Sequence, residues 1–218
     1  MILMYEKLIT VLNDKKNEDK KVQFEKYFKN VLTFYGIPSP ELKEIFKKIY
    51  NENIKSLEID DKTELAKKLM SSKYAEEKYF AIMILNKNIK LLKENFIDEI
   101  EYLIKNYVYD WSCCDSISTR VVKFLIVKYP SIIDKIKKWS TNEYLWLQRS
   151  SAVSFVLLGK TGKYNSEIIE ICSNVVKNKE RFAQLGNGWV LRELSLADLK
   201  LTIDFIETNY NYFSREGL

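Results

Sequence analysis

The sequence of 218 residues contains no histidine. Histidine is the base of Ser-His-Asp and Cys-His nucleophilic sites and a frequent zinc ligand, so sites of these kinds are excluded. The three cysteines, Cys113, Cys114 and Cys172, are too few for a zinc ribbon or a disulfide framework. Any catalysis must therefore use carboxylates, lysine, tyrosine, aromatic surfaces or a bound charge.

Glycine and proline are also scarce, with 6 and 3 residues. Sheet proteins of this size usually use more of both in turns, so the composition favours helices. Apolar residues recur at helical spacing along almost the whole chain, and no convincing alternating strand occurs. The predicted helices span about 2–13, 18–34, 40–51, 60–71, 73–87, 91–106, 111–128, 130–139, 143–158, 164–177, 181–194 and 197–208.

Long apolar runs are absent, since none approaches the roughly 18 residues that cross a bilayer. The N-terminal stretch MILMYEKLITVLNDKK has a short apolar core and no small-residue cleavage site. We therefore expect a cytoplasmic protein that does not bind membranes. The formal net charge of +5 is compatible with nucleic acid but does not by itself indicate it.

Four segments resemble one another: EEKYFAIMIL, CCDSISTRVVKFL, LQRSSAVSFVLL and QLGNGWVLREL. Alignment on Ala81, Ser118, Ala152 and Trp189 gives successive spacings of 37, 34 and 37 residues. Such spacings are typical of two-helix repeats of the HEAT or armadillo kind, with each segment as the second helix of a pair. The prediction is an all-α protein, a single domain over residues 1–218, in which an α-solenoid places these second helices on its concave face.

One of these second helices contains Trp111 and Asp115 on the same face near its start. A core stripe at helical spacing is predicted beside them, formed by Cys114, Ile117, Val121 and Phe124. One interpretation is structural: Asp115 interacts favourably with the dipole at the helix N-terminus, and Trp111 packs in the core. The alternative is a catalytic acid beside an aromatic wall.

The next two second helices contain an arginine and a pair of glycines. Arg149 interrupts a run of apolar and small residues and needs a partner, either an acid such as Asp115 or an external phosphate. A purely structural role for Arg149, as a salt bridge between neighbouring repeats, is an equally open interpretation. Gly186 and Gly188, just before Trp189, allow close approach of another helix or of a ligand. An acid, an arginine and two tryptophans at matching levels favour a shared site.

At these residues the chain resembles the AlkD family of DNA alkylation repair enzymes, which are HEAT-like repeat alkylpurine DNA glycosylases. YFKNVLTFYGIPSP is similar to the N-terminal signature of the family. The W-D-x-V-D motif corresponds to Trp111–Asp115, W-L-x-R to Trp146–Arg149, and G-W-x-L-R-E to Gly188–Glu193. The resemblance covers nearly the whole chain, and the order and spacing of the motifs make it specific.

The resemblance implies a role for each candidate residue. Asp115 would be the catalytic acid, Arg149 a DNA-backbone or active-site contact, Trp111 and Trp189 the aromatic walls, and Tyr27 a further contact near the lesion. The implied activity is monofunctional excision of 3-methyladenine and 7-methylguanine from duplex DNA in base excision repair. It would need no metal or cofactor and no base flipping. We expect a nucleoid-associated monomer with a basic concave face.

Two departures from the family pattern bear on activity. Ser112 replaces the usual second acid of the motif, and Cys114 replaces its valine. The sequence also ends at Leu218, where family members usually continue into another basic helix, and we expect weaker DNA binding for that reason. Besides Arg149, the candidate phosphate contacts are Lys78, Arg120 and Arg192.

The implied chemistry suits a chain without histidine. A cationic alkylpurine leaves as a neutral base, so a single carboxylate can stabilise the oxocarbenium-like sugar and orient water. Three alternatives stay open at this point. They are a catalytically silent DNA-binding relative, a protein-interaction scaffold, and a cysteine-based or metal site.

Overall fold

The computed structural model describes residues 2–218 and confirms the all-helical prediction. Within these residues the only strand-like pairing is a single parallel bridge between Thr33 and Tyr74. The chain groups into two compact units, one ending at Lys93 and the other spanning Glu94–Leu218. None of the described helices is long and apolar enough to span a membrane. The solenoid, its basic concave face and the single domain stay predictions.

The described residues of the first unit, 2–93, form five α-helices. They are α1 (Ile2–Asp14), α2 (Glu18–Tyr27), α3 (Ser39–Ile49), α4 (Ile59–Met70) and α5 (Ala75–Lys87), with a π turn at Tyr50–Ile54 after α3 and a 3₁₀ turn at Ile89–Leu91. Helices α4 and α5 pack against each other along their length. Helix α2 buries no residue fully.

The predicted helix over 18–34 is wrong beyond Tyr27. Lys29 and Asn30 adopt positive φ angles of 52° and 59°, which end the helix. In the segment that follows, the backbone N–H groups of Tyr35, Gly36 and Ile37 donate to the buried Glu76 carboxylate at 3.0, 2.9 and 3.0 Å. These three residues lie just past the predicted end at 34. Within the predicted range, the Phe34 N–H donates to the Glu25 side chain at 3.2 Å instead of to a helical carbonyl.

The second unit contains nine α-helices. They are α6 (Phe96–Tyr107), α7 (Trp111–Ile117), α8 (Lys123–Lys128), α9 (Ile133–Trp139), α10 (Leu145–Val153), α11 (Val156–Gly159), α12 (Asn165–Val175), α13 (Arg181–Ser195) and α14 (Leu199–Asn209). A π turn at Ser118–Val122 joins α7 to α8, and 3₁₀ turns lie at Pro130–Ile132 and Tyr210–Tyr212. Helix α10 packs against α7, α9, α12 and α13.

The π turn corrects the predicted core stripe of α7 and α8. Its hydrogen bond from Lys123 N–H to the Ser118 carbonyl spans five residues, so one extra residue enters the turn. Cys114, Ile117 and Val121 are buried as predicted, but Phe124 is 41% exposed. The extra residue turns Phe124 out of the core because it shifts the helical register by one position.

A repeated side-chain contact joins the two helices of three pairs. Lys78, Gln148 and Gln184 each donate to the backbone carbonyl eight residues earlier, at 2.7, 2.9 and 2.8 Å. These carbonyls lie near the end of the preceding helix and would otherwise lack a partner. Lys78 is only 1% exposed. The expectation that Lys78 holds a phosphate is therefore wrong.

Candidate active site

The site begins at the N-terminus of α7, which Asp110 caps. One carboxylate oxygen of Asp110 accepts from the backbone N–H groups of Ser112 and Cys113 at 2.8 and 2.9 Å, and from the Ser112 hydroxyl at 2.7 Å. These bonds fix the first turn, where Trp111 is half-buried. Sequence reasoning missed this role, although an aspartate directly before a helix is a common cap.

Asp115 and Arg149 form a bidentate ion pair between α7 and α10. Arg149 Nε lies 2.8 Å from Asp115 Oδ1, and a terminal guanidinium nitrogen lies 2.8 Å from Oδ2. The Asp115 side chain is 16% exposed and the Arg149 side chain 6% exposed. Of the two partners that the sequence left open for Arg149, the acid is therefore the one it contacts.

Helix α13 holds the guanidinium of Arg149 from the other side. The remaining terminal nitrogen donates to the Phe182 carbonyl at 2.5 Å. A Cβ atom at Gly186 would lie 3.1 Å from that nitrogen and 3.2 Å from Arg149 Cγ, so a larger residue would force the arginine to shift by a few tenths of an ångström. At Gly188 a Cβ atom would meet the Gly217 carbonyl at 2.4 Å. Both glycines thus approach other segments of the protein.

The electrostatics of the pair follow from its burial. Burial raises the pKa of Asp115 above the ordinary aspartate value, and the hydrogen bonds and charge of Arg149 oppose this shift. For Arg149, burial lowers the pKa, but the bonds to Asp115 outweigh it and the pKa is raised overall. The arginine therefore stays charged, and its bonds and charge favour the ionised form of the carboxylate against the effect of burial.

Aromatic side chains lie on all three helices of the site. The ring of Trp146, on α10, lies 5.3 Å from that of Phe182, and Trp146 is 8% exposed. Trp189 is half-buried on α13, one helical turn after Gly186. The structure thus brings Asp115 and Arg149 into contact and puts Trp111 and Trp189 on two helices that each pack against α10.

Tyr27 belongs to the first unit and is 70% exposed, with its ring 5.1 Å from that of Phe28. Its predicted role near a lesion stays a prediction. Arg120 and Arg192 are both exposed, as a phosphate contact must be.

The three cysteines are buried and carry free thiols. Burial raises the pKa of Cys114 and of Cys172, which disfavours their reactive thiolate forms. The Cys114 thiol donates to the Trp146 carbonyl at 3.2 Å. Throughout residues 2–218 there is no group of three or more acidic or cysteine side chains that could hold a metal ion.

The fold and the site together define an all-helical protein with a buried carboxylate–arginine pair between α7 and α10. The family model described as DNA alkylation repair enzyme matches residues 8–218, and the chain belongs to this family. A solved structure titled predicted DNA alkylation repair enzyme, from Enterococcus faecalis, has a TM-score of 0.83 and 17% sequence identity. The match covers 93% of this chain and 92% of that one. No curated protein matches the chain in sequence.

Proposed function

We propose that the protein is a monofunctional DNA N-glycosylase that excises positively charged alkylpurines, such as 3-methyladenine and 7-methylguanine, from duplex DNA. The family assignment gives a role in DNA alkylation repair and DNA as the partner. The alkylated base is cationic and leaves neutral, so the reaction requires no general acid. The step that needs help is the growth of positive charge on the deoxyribose.

The observation that carries this proposal is the geometry of the Asp115–Arg149 pair. Arg149 contacts both oxygens of Asp115, and this orients the carboxylate on α7. Each oxygen keeps a second lone pair that can face the sugar or a water molecule. Because Asp115 is largely buried, its charge is screened less than it would be in bulk water. In this proposal Asp115 stabilises the oxocarbenium-like transition state and positions water, while Arg149 orients Asp115.

The two tryptophans would give the site a second reason to prefer a cationic lesion over a neutral base. Trp111 and Trp189, on helices next to α10, would form the aromatic walls of the site. An aromatic face attracts a cation by roughly 0.5–2 kcal/mol, which favours the alkylated nucleotide over a neutral one. Tyr27 would contact DNA near the lesion. Recognition at such walls does not require rotation of the base into a deep pocket.

The test is release of 7-methylguanine and 3-methyladenine from methylated duplex DNA by purified protein at low salt. Asp115→Asn should abolish release while DNA affinity stays within a few fold. Asp134→Asn is the matched control, because Asp134 is an exposed aspartate on α9 and should keep full activity. Full activity of Asp115→Asn would show that the carboxylate is not the catalytic group.

One observation favours a second candidate, a DNA-binding protein without glycosylase activity. Both Asp115 oxygens already contact Arg149, and the pair is 16% and 6% exposed, as expected for a structural bridge. DNA binding by the wild type without any base release would support this function. A complete lack of DNA binding would instead favour a protein-interaction scaffold.

A further inference from the structure

The second unit contains a continuous exposed stripe that begins beside the candidate active site. Along Trp111–Lys128 the buried residues come in pairs that repeat every four positions, at 113–114, 117–118, 121–122 and 125–126. The exposed or half-exposed residues repeat in the same way. Asp115, Arg120, Lys123 and Phe124 belong to this set.

An α-helix alone would not keep such a stripe on one face. With 3.6 residues per turn, a repeat of four drifts by about 40° per turn, or about 120° from the first buried pair to the last. The π turn at Ser118–Val122 adds one residue to its turn, which offsets about 100° of this drift. Arg120, Lys123 and Phe124 therefore follow Asp115 on the same side of the helix.

The stripe beyond Asp115 is cationic and aromatic. Arg120 is exposed, and neither it nor Lys123 forms an ion pair with any residue of the described chain. The Lys123 ammonium lies 3.8 Å from the centre of the Phe124 ring, which is 41% exposed. The ring holds the ammonium at the surface without neutralising it. Two cations that face solvent without a carboxylate partner suit a polyanion.

We infer that Arg120 and Lys123 each bind a phosphate of the DNA strand next to the Asp115 site, and that Phe124 positions the Lys123 ammonium. This inference rests on the proposed function for the location of the lesion. The contacts are to backbone phosphates, so they hold the duplex in register and do not depend on its sequence. The charge complementarity favours DNA over a protein partner, which would need apolar area as well as cations at its centre.

The experiment measures binding of an undamaged duplex, and separately of the same duplex methylated, across a series of salt concentrations. Each phosphate contact contributes about 0.9 to the slope of log affinity against log salt. Arg120→Gln and Lys123→Gln should each lower the slope by about 0.9, and the double variant by about 1.8. Phe124→Ala should weaken binding about two- to fivefold, the value of an exposed cation–π contact.

Two matched controls come from first helices of the second unit. Lys138→Gln removes an exposed lysine of α9, and Tyr102→Ala removes a ring of α6 that is 52% exposed. Both should keep the slope and affinity of the wild type. Tryptophan fluorescence on every variant confirms that the second unit is folded.

The outcomes separate this inference from the proposed function. A double variant with the wild-type slope and affinity overturns the inference, as do controls that lower the slope equally. A wild type that binds DNA but releases no base contradicts the glycosylase proposal. In that case a lower slope for Arg120→Gln and Lys123→Gln than for the wild type still supports the phosphate contacts. A wild type that does not bind DNA overturns both.

Discussion

Replacing Asp115 by asparagine should destabilise the second unit as well as remove the charge that we propose to be catalytic. The substitution leaves Arg149 buried without a counter-ion and turns an N–H donor toward its guanidinium. Breaking a buried ion pair from one side costs about 3–5 kcal/mol. Asp115 is 16% exposed, so water can partly compensate and the lower end of the range applies. We expect the free energy of unfolding to fall by about 3 kcal/mol.

Tryptophan fluorescence during urea unfolding is the appropriate assay. All four tryptophans, Trp111, Trp139, Trp146 and Trp189, lie in the second unit, so the signal reports on the unit that contains the pair. With a urea dependence of about 3 kcal/mol per molar, the midpoint should fall by about 1 M. A protein with ordinary stability of about 5–15 kcal/mol survives this loss, so the variant can still be assayed for base release.

A double-mutant cycle with Arg149→Met isolates the interaction. The double variant has no buried charge, and it should be more stable than the sum of the two single losses implies. The coupling should be at least about 1.5 kcal/mol, as for a hydrogen bond to a charged group. A loss below about 1 kcal/mol for Asp115→Asn, with no coupling, would show that the pair is solvated and worth no more than a surface salt bridge.

Three further predictions follow from the same geometry. The rate of base release should be maximal at pH values above the raised pKa of Asp115 and should decline as the pH falls through that pKa. The acid limb of the pH–rate profile should therefore lie above the ordinary aspartate range. Gly186→Ala places a Cβ atom 3.1 Å from an Arg149 nitrogen and should cost about 1–3 kcal/mol in urea unfolding. Glu76→Gln should speed hydrogen exchange at the amides of residues 35–37, because the charge that accepts their three bonds is removed. An unchanged pH profile, midpoint or exchange rate would contradict the respective prediction.

The sequence predicted most helices because their apolar positions recur every three to four residues, and this pattern does not depend on distant contacts. It failed where distant groups take part. The helix predicted over 18–34 stops at Tyr27, because Lys29 and Asn30 adopt positive φ angles, and side chains accept the N–H groups further on, Glu25 that of Phe34 and Glu76 that of Gly36. Phe124 was assigned to the core because the periodicity assumes a regular helix, and the π turn adds one residue.

For the candidate site, the motif order and spacing predict Trp111, Asp115, Arg149 and Trp189. The motifs could not decide whether Arg149 contacts an acid of the protein or is available to bind an external phosphate. The answer depends on two helices separated by 34 residues in the chain, and on a glycine of a third helix. The cap by Asp110 was visible in principle, because it depends only on residues next to the start of α7.

The amino-acid sequence by itself therefore determined the all-helical class, the family and the set of chemical groups available. The lack of histidine excludes the histidine-dependent nucleophilic sites. Only the tertiary structure decided which groups meet: Asp115 with Arg149, Lys78 with a buried carbonyl, and Phe124 with Lys123 at the surface. Local periodicity is a property of neighbouring residues, whereas partners and exposure depend on how separate helices pack and on a register that a single π turn can shift.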